Sequence, residues 1–430
     1  MTGSSRRRAA VAFVFITVVL DVLSLGIIIP VLPKLVESFL GGDTQQAAKV
    51  YGLFGTVWAL MQFVFSPLLG VLSDRFGRRP ILLLSITGLG LDYCFMALAP
   101  SLRWLFVGRI ISGIAGASYT TAAAYIADVT PPERRAQSFG MIGAAWGLGF
   151  ILGPALGGLL GASNPRLPFW VAAGLSLLNA LYGYFVVPES LPLEKRTRGV
   201  SFAKANPIGS LALLRSHHEL FGLAGVVSLN FLAHQVLPSV FVLYASYRYG
   251  WSTRMVGFSL TLVGICSAIV QGGLIKPIVS RLGERRALLM GLCFGALSFV
   301  IWGWAPTGRI FWIGIPFGAL MGLFGPSAQG MMSRHVSASE QGQLQGANTS
   351  IMGLTGMLGP TLFTFTFAHF IGEGAGRHLP GAPYFLAAIL TVSALALALR
   401  VTRREPDTSG SQDGSGGVLP FTEPPESPVA

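Results

Sequence analysis

Charged residues are scarce in this chain. Only 11% of its 430 residues are Asp, Glu, Lys or Arg, whereas 52% are hydrophobic, and the mean hydropathy is +0.62. A soluble domain carries roughly 25% charged residues. The apolar residues fall in blocks of about 20 or more, which is the length that crosses a bilayer as a helix. The composition excludes an ordinary soluble domain and predicts a protein with many membrane spans.

Cysteines are few, and the common catalytic motifs are missing. Cys94, Cys266 and Cys293 lie inside apolar runs without the spacing of a metal or redox site. The sequence contains no HExxH, CxxC or phosphate loop, and its Gly147-Leu-Gly149 lies in apolar surroundings that do not fit a dinucleotide loop. We therefore expect a protein that is not an enzyme and that holds no cofactor or metal ion of its own.

Bases outnumber acids, with 30 Lys and Arg against 18 Asp and Glu and a net charge of +12. These bases lie in short loops between apolar runs, so they are orientation signals and do not indicate a nucleic-acid partner. Twenty of them fall on one side of the predicted hairpins and eight on the other. The positive-inside rule then predicts that both termini are cytoplasmic.

The apolar runs predict an all-α integral membrane protein with twelve transmembrane helices. The predicted helices are 9–33, 51–72, 80–99, 103–127, 137–161, 166–188, 218–246, 252–276, 287–305, 309–333, 343–371 and 381–401. They divide into a six-helix bundle (1–188), a cytoplasmic linker (189–217), a second six-helix bundle (218–401) and a tail (402–430) with the composition of a disordered segment.

A charged loop, Gly70–Arg79 (GVLSDRFGRR), separates two of the apolar runs. A weaker copy (SRLGERR) lies later in the chain, in which Arg281 stands 206 residues after Arg75. The same offset relates further pairs: Gln137 and Gln343, Gly140 and Gly346, Gly153 and Gly359, Pro154 and Pro360. These matches predict a duplicated protein, and parallel repeats with a site between them near the midplane are typical of secondary transporters.

Only two carboxylates lie deep within a predicted span, Asp21 and Asp92. At 1.5 Å per residue, they are about 15 Å and about 18 Å from the start of their helices. A charge at such a depth costs about 2.5–3.5 kcal/mol even on the mild insertion scale, and intramembrane acids are functional by default. We predict a proton or cation site that faces a cavity. The alternative is a structural carboxylate that is held by serines, Tyr93 or backbone groups.

Five other polar residues inside spans are candidates for the substrate cavity: Gln62, Arg109, Asn230, His234 and Gln235. Arg109 either neutralises a buried acid or extends outward to the interface. The other four either line the substrate path or form hydrogen bonds between helices.

Glycines in the fifth predicted span form a stripe that permits close packing. Gly149, Gly153 and Gly157 recur every four residues and fall on one helix face, and Pro154 favours a bend. Similar glycines recur in the eleventh span. The pattern suits two halves that rock against each other and suits static packing as well.

The loop Gly70–Arg79 is a candidate gate that begins at Gly70. Gly77 supplies the backbone freedom of a tight turn, and Asp74 can accept hydrogen bonds from the other half and hold the cytoplasmic side closed. The bases Arg75, Arg78 and Arg79 can equally serve to orient the chain and to bind anionic lipid.

This loop resembles the signature loop of the major facilitator superfamily, Gly-x-x-x-Asp-Arg-x-Gly-Arg-Arg, at every position. The span-five glycines resemble the motif of its proton antiporters. More narrowly, three segments resemble the tetracycline/proton efflux family: Leu20–Pro33, Ala59–Pro80 and Ala124–Gly140. The resemblance covers nearly the whole chain except the tail.

The resemblance implies the major facilitator fold and a monomer in a bacterial inner membrane that exports a drug in exchange for protons. It implies roles for Asp21 and Asp92 in coupling and substrate recognition, and a pair between Arg78 and Asp128 at the cytoplasmic gate. A divalent metal ion would then be carried together with the substrate rather than bound as a cofactor.

In one respect the chain departs from tetracycline exporters. Those exporters carry an acid in span nine and a histidine in span eight. In this chain Gly295 stands at the position of the acid, and Cys266 and Ser267 stand at the position of the histidine. We therefore expect the exporter to carry tetracycline-like or other amphiphilic drugs. The alternative is a metabolite uptake symporter or a uniporter of the same fold.

Overall fold

The computed structural model describes residues 3–131, 135–197, 209–211, 213–214, 218–337, 340–372, 376 and 378–404. All regular structure in these ranges is helical, and eleven helical segments are long and apolar enough to cross a membrane. One of them, Thr253–Trp304, has 52 residues. Its length of about 78 Å greatly exceeds the hydrocarbon core of about 30 Å. Gly283 breaks this segment with φ 78° and ψ 160°, so it crosses twice and the predicted twelve spans are confirmed.

We number the spans in chain order. In the first half, span 1 is Gly3–Ile28 continued by Leu32–Phe39, span 2 is Thr44–Phe76, span 3 is Arg78–Leu98, span 4 is Leu102–Ala115 continued by Tyr119–Val129, span 5 is Arg135–Ser163 and span 6 is Leu167–Val186. In the second half, span 7 is His218–His234 continued by Val236–Tyr249. Span 8 is Thr253–Ile269, the π-helical turn Val270–Leu274 and the part of Ile275–Trp304 before Gly283, and span 9 is the part of that helix after Gly283. Span 10 is Gly308–Leu320 continued by Phe324–Arg334, span 11 is Gln341–Ile371 and span 12 is Ala382–Val401.

Span 2 is longer than predicted because its polar first turn is a capped helix. The backbone N–H of Gln46 donates to the Asp43 carboxylate at 2.9 Å, which satisfies one of the free donors at the helix start. Hydropathy alone excluded Thr44–Val50, since four of these seven residues are polar. Span 7, in turn, bends at Gln235, because Pro238 has no N–H to donate to the carbonyl of His234.

The spans form two bundles that meet along two pairs of helices. Span 1 packs on spans 5 and 6 within the first half, and span 12 packs on spans 7 and 9 within the second. Between the halves, span 2 packs on span 11 and span 5 on span 8. We call the end that carries Gly70–Arg79 the basic end, and the end that carries the Leu40–Asp43 turn the opposite end.

The halves touch toward the opposite end and part toward the basic end. Thr56 Oγ1 of span 2 donates to the carbonyl of Met357 at 2.7 Å, and Thr261 Oγ1 of span 8 donates to the carbonyl of Ile151 at 3.2 Å. Further toward the basic end, three glycines that face the other half have open space within 4 Å of a built Cβ: Gly143, Gly147 and Gly272. A cleft between the halves is therefore open to the basic end.

The two charged turns at the basic end share one backbone shape. Gly77 has φ 106° and ψ 155°, and Gly283, 206 residues later, has φ 78° and ψ 160°. Only glycine adopts this region readily. The duplication that was predicted from sequence thus extends to backbone conformation.

Candidate functional site

Asp92 is buried within the first half. It is 2% exposed between spans 3 and 4, and neither carboxylate oxygen has a hydrogen-bond partner among the described residues. The absence of a side chain at Gly108 leaves room for it, because a Cβ there would lie 3.2 Å from Asp92 Oδ1. The prediction that Asp92 faces an open cavity was wrong. Span 3 presents Leu84, Leu91 and Leu98 outward and turns Asp92 into the bundle.

Arg109 points inward as well. Its guanidinium carbon lies 5.3 Å from the centre of the Trp58 ring, and its Nε atom has no hydrogen-bond partner within the described ranges. Asp92 is the carboxylate that acts on it electrostatically, although no carboxylate among the described residues lies within 4 Å. A charge buried in this way is costly unless a counter-charge approaches. Arg109 is buried and does not extend outward to the interface, and its role in neutralising a buried acid stays a prediction.

Asp21 lies at the inner limit of the cleft. It is half-buried, and in the part of the chain that the structure describes its Oδ1 atom has no hydrogen-bond partner. The next residue, Val22, packs on Gly149 of span 5, just before the point where span 5 meets span 8. Tyr93 is buried within electrostatic range of both acids. The structure therefore groups Asp92 with Arg109 in the first half, and Tyr93 lies near both Asp21 and Asp92.

The bend in span 7 presents polar groups between the halves. His234 is exposed although it lies in mid-span, which fits a residue that lines the cleft. Gln235 packs against Gly359 of span 11. Asn230 is buried, and its Oδ1 atom has no partner in the described part of the chain, so the expected hydrogen bond between helices is absent for that atom.

Span 2 contributes two residues that sequence reasoning missed, Tyr51 and Trp58. The Tyr51 hydroxyl donates to the Pro238 carbonyl at 3.4 Å, and Trp58 lies beneath Arg109. Gln62 completes the same face, where a Cβ on Gly116 would lie 3.2 Å from its amide nitrogen. The signal was present in the sequence, since residues 51, 55, 58 and 62 have the spacing of one helix face.

The span-five glycines pack chiefly within the first half. Gly149, Gly153 and Gly157 lie against the backbone and side chains of span 1, at Val22, Gly26 and Ile27. The residue that meets the other half is the neighbouring Gly158, against Gly257 of span 8. The carbonyl of Pro154 also lies against Gly257. The predicted stripe is thus a packing surface for span 1, and Gly158 is one of the residues through which span 5 contacts the other half.

The signature loop is closed on itself in this structure. Arg78 Nη1 lies 2.6 Å from Asp74 Oδ1, and Arg78 Nε lies 3.3 Å from Asp128 Oδ2, which is the pair that the resemblance implies. Among the described residues, the predicted contact of Asp74 with the other half is not formed, because the basic end is open. The other predicted gating residues of the loop take no part in these ion pairs. Gly70 lies near Thr120, Arg75 lies over the ring of Phe76, and Arg79 donates to the carbonyl of Tyr184. A gating role for the loop stays a prediction.

The second half holds the same ion pair with its charges exchanged. Arg334 Nη2 lies 2.6 Å from Glu284 Oε2. Glu284 stands 206 residues after Arg78, and Arg334 stands 206 residues after Asp128. The base and the acid have therefore changed places between the two copies. Sequence alignment of the turns alone does not reveal this, because the partners lie on other spans.

Glu189, just after span 6, is a further residue that sequence reasoning passed over. Its Oε1 atom accepts hydrogen bonds from the backbone N–H groups of Arg78, Ser190 and Leu191, at 2.9, 3.0 and 3.1 Å. Its Oε2 atom pairs with Arg196 at 3.5 Å. The start of the predicted linker is therefore fixed to the signature loop.

The place of the absent span-nine acid is filled by packing. A Cβ on Gly295 would lie 2.6 Å from the sulfur of Met321. An aspartate there would displace Met321, so its absence from the sequence matches the local geometry. Among the described residues no three His, Cys, Asp or Glu side chains come together as a metal site would require.

Comparison with known proteins agrees with this geometry. The sequence profile of the Major Facilitator Superfamily matches residues 14–360 and 279–427. The chain is 39% identical to the class C tetracycline resistance protein of Escherichia coli, over 82% of this chain and 88% of that one, and 39% identical to the class G protein of Vibrio anguillarum, over 86% and 93%. The solved structure of the human organic anion transporter MFSD10 (TETRAN) superposes with a TM-score of 0.68 at 25% identity, over 91% and 99% of the two chains. The chain therefore belongs to the major facilitator superfamily and, within it, to the family of the tetracycline resistance proteins.

Proposed function

We propose that this protein is a proton-coupled exporter of amphiphilic drugs. The observation that carries the proposal is that Asp92 and Arg109 are buried together in the first half beside Tyr93, while Asp21 lies half-buried at the inner limit of the cleft between the two halves. Relatives that are named tetracycline resistance proteins at 31–39% identity support export of a drug. The protein is a transporter and not an enzyme.

The proposal includes an orientation. Twenty Lys and Arg residues predicted for the basic end place that end in the cytoplasm of a bacterial inner membrane. The cleft is then open to the cytoplasm, and this conformation is the one in which an exporter takes up its drug. Both termini are cytoplasmic, and one chain contains a complete cleft, so a monomer suffices.

Exchange of protons for drug uses the acids in turn. A proton that enters from the opposite end neutralises Asp92 or Asp21 in turn and allows the halves to close over less buried charge. When the proton is released to the cytoplasm, the carboxylate becomes negative again. Arg109 and a bound drug can then compete for this carboxylate. Since each site faces one side at a time, the gradient drives the drug outward.

Everted membrane vesicles test this coupling. Addition of drug to respiring vesicles should release protons from the lumen through the wild-type protein, read as dequenching of an acridine dye. Asp92→Asn should abolish the drug-driven signal, whereas Glu194→Gln, an exposed acid in the linker, should leave it unchanged. Full drug-driven dequenching by Asp92→Asn would overturn the assignment. Movement of protons together with the drug would indicate the symporter instead.

A susceptibility panel tests the cargo. Expression in a pump-deficient host should raise resistance to amphiphilic drugs, measured with and without tetracyclines and with and without added Mg²⁺. Because Met321 occupies the place of the acid that tetracycline exporters use, we expect the smallest gain for tetracyclines. A metal ion, if required, belongs to the drug complex.

A further inference from the structure

A stripe of span 8 faces the first half along its whole length. Toward the opposite end it makes contact: Thr253 and Gly257 lie against Gly158, Thr261 bonds to the Ile151 carbonyl and Gly264 lies against Ile151. Residues 253, 257, 261 and 264 have the spacing of one helix face. Toward the basic end, the residues that continue this face of span 8 line the open cleft.

A second face of span 8 is turned to lipid. Phe258, Leu262, Ile265 and Ile269 are exposed and apolar and recur every three or four residues. The third face packs inside the second half, where Val270 is buried near Gly322 of span 10. These three faces determine where each later residue of the span points.

Lys276 changes face because of the π-helical turn. An uninterrupted α-helix turns about 100° per residue, so Lys276, twelve residues after Gly264, would point about 120° away from the cleft and toward lipid. The π-helical turn Val270–Leu274 is marked by the N–H of Ile275, which donates to the carbonyl of Val270, five residues back. A π-bulge adds about one residue to the turn and rotates all later residues of the helix back by about 100°. Lys276 therefore joins the cleft face with Gly264, Ala268 and Gly272.

The lysine is available to a ligand. It is exposed, and among the described residues no carboxylate lies within 4 Å of its ammonium. Ala268 and Gly272 between it and the contact zone are exposed and small, so they leave the cleft wall open. Gln271, also exposed in the π-helical turn, adds an amide beside it. At about 35 Å from Thr253 along the helix, Lys276 lies at the cleft mouth on the basic end.

We propose that Lys276 is an anion-recognition residue of the substrate cleft, and that the cargo includes amphiphiles with an ionised oxygen acid, such as a carboxylate, phenolate or enolate. This inference rests on the proposed function, since it names a substrate class for the same cleft. An unpaired ammonium at the mouth attracts an anionic group, and the glycine-rich wall accommodates an apolar ring system. π-helical turns occur frequently at functional sites, and here the turn supplies the rotation that brings the charge to the cleft.

Binding of paired dyes tests the charge. Fluorescein (anionic) and rhodamine 123 (cationic) share a xanthene ring system, and anisotropy reports their binding to the purified full-length protein in detergent. Lys276→Gln should raise the Kd of fluorescein about tenfold, as expected for one lost ion pair, and should leave that of rhodamine 123 unchanged or lower. Lys276→Arg should restore fluorescein binding. Arg254→Gln, an exposed base at the other end of the same span, is the matched control.

Equal fluorescein Kd values for the wild type and Lys276→Gln, or no fluorescein binding by the wild type, would overturn the inference. Loss of proton-coupled export with this charge preference intact would instead count against the proposed function alone.

Cysteine labelling tests the rotation of span 8 by the π-helical turn. In a variant with Cys94→Ser, Cys266→Ser and Cys293→Ser, Lys276→Cys and Ala268→Cys should both react with an impermeant maleimide added at the basic end. Ile269→Cys and Gly273→Cys on the lipid face should not. An unreactive Lys276→Cys beside a reactive Ala268→Cys would place the lysine in lipid and overturn the proposal.

Discussion

Gly158 and Gly257 meet so closely across the two halves that a Cβ built on Gly158 would lie 2.8 Å from the Cα atom of Gly257. Two backbones can approach this far only where both residues lack a side chain. The contact closes the opposite end beside Thr253, and it must open for the drug to leave.

Gly158→Val should therefore hold the opposite end apart. Inserting bulk into a packed contact costs typically 1–3 kcal/mol, which shifts a two-state equilibrium by about five- to 150-fold. We expect transport to fall by that factor and impermeant maleimide to reach Thr261→Cys from the opposite end. Gly174→Ala, a glycine with open space around it, should change neither result. Normal transport by Gly158→Val would show that the contact is not part of the gate.

Arg109 and Trp58 form a second testable pair. Trp58→Leu removes a cation–π contact worth about 0.5–2 kcal/mol but keeps the charge, so we expect a modest loss of transport, at most about thirtyfold. Arg109→Gln leaves Asp92 without its counter-charge and should be more severe, because an uncompensated buried charge costs about 3–5 kcal/mol. Initial efflux rates in everted vesicles measure both variants at equal protein level. A milder effect for Arg109→Gln than for Trp58→Leu would contradict this order.

The exchanged ion pairs predict a charge-swap result. Glu284→Arg or Arg334→Asp alone places like charges together at the basic end and should reduce transport. The double variant recreates the polarity of Arg78 and Asp128 and should recover most of the loss. Because the Glu284–Arg334 pair is partly exposed, we expect a coupling free energy of about 1 kcal/mol in a double-mutant cycle of efflux rates. Additive losses would show that the pair does not interact in the transport cycle.

Glu189 fixes the linker to the signature loop, so its loss should act on stability. Glu189→Ala leaves three backbone donors without their acceptor and should lower the free energy of unfolding by about 1–3 kcal/mol. A thermal-shift measurement in detergent checks this. Glu194→Gln on the same segment is exposed and should leave the melting temperature unchanged. An unchanged melting temperature for Glu189→Ala would mean that solvent replaces these contacts.

Span number, duplication and the two intramembrane acids were predictable, because length, hydropathy and internal offsets are local properties of the sequence. Side-chain direction was less accessible. Asp92 points into the bundle because the packing of span 3 determines which face of that helix contacts lipid. Gly158 rather than Gly157 contacts the other half because successive residues of a helix are rotated by about 100°. Lys276 could not be placed at all from an α-helical period, since the π-helical turn shifts every residue after it. The Arg78–Asp128 pair came from resemblance, whereas its inverted copy needed the fold.

The exchanged polarity of the two ion pairs has a consequence for the closed basic end. The halves of this superfamily are related by an axis along the membrane normal, so equivalent positions of the two turns face each other across that axis. Identical copies would bring Arg78 against a second arginine and Asp128 against a second acid, and like charges would repel as the end closed. With Glu284 and Arg334 at those places, each turn presents to the other the opposite sign at equivalent positions. The duplicated chain is in this way complementary to itself.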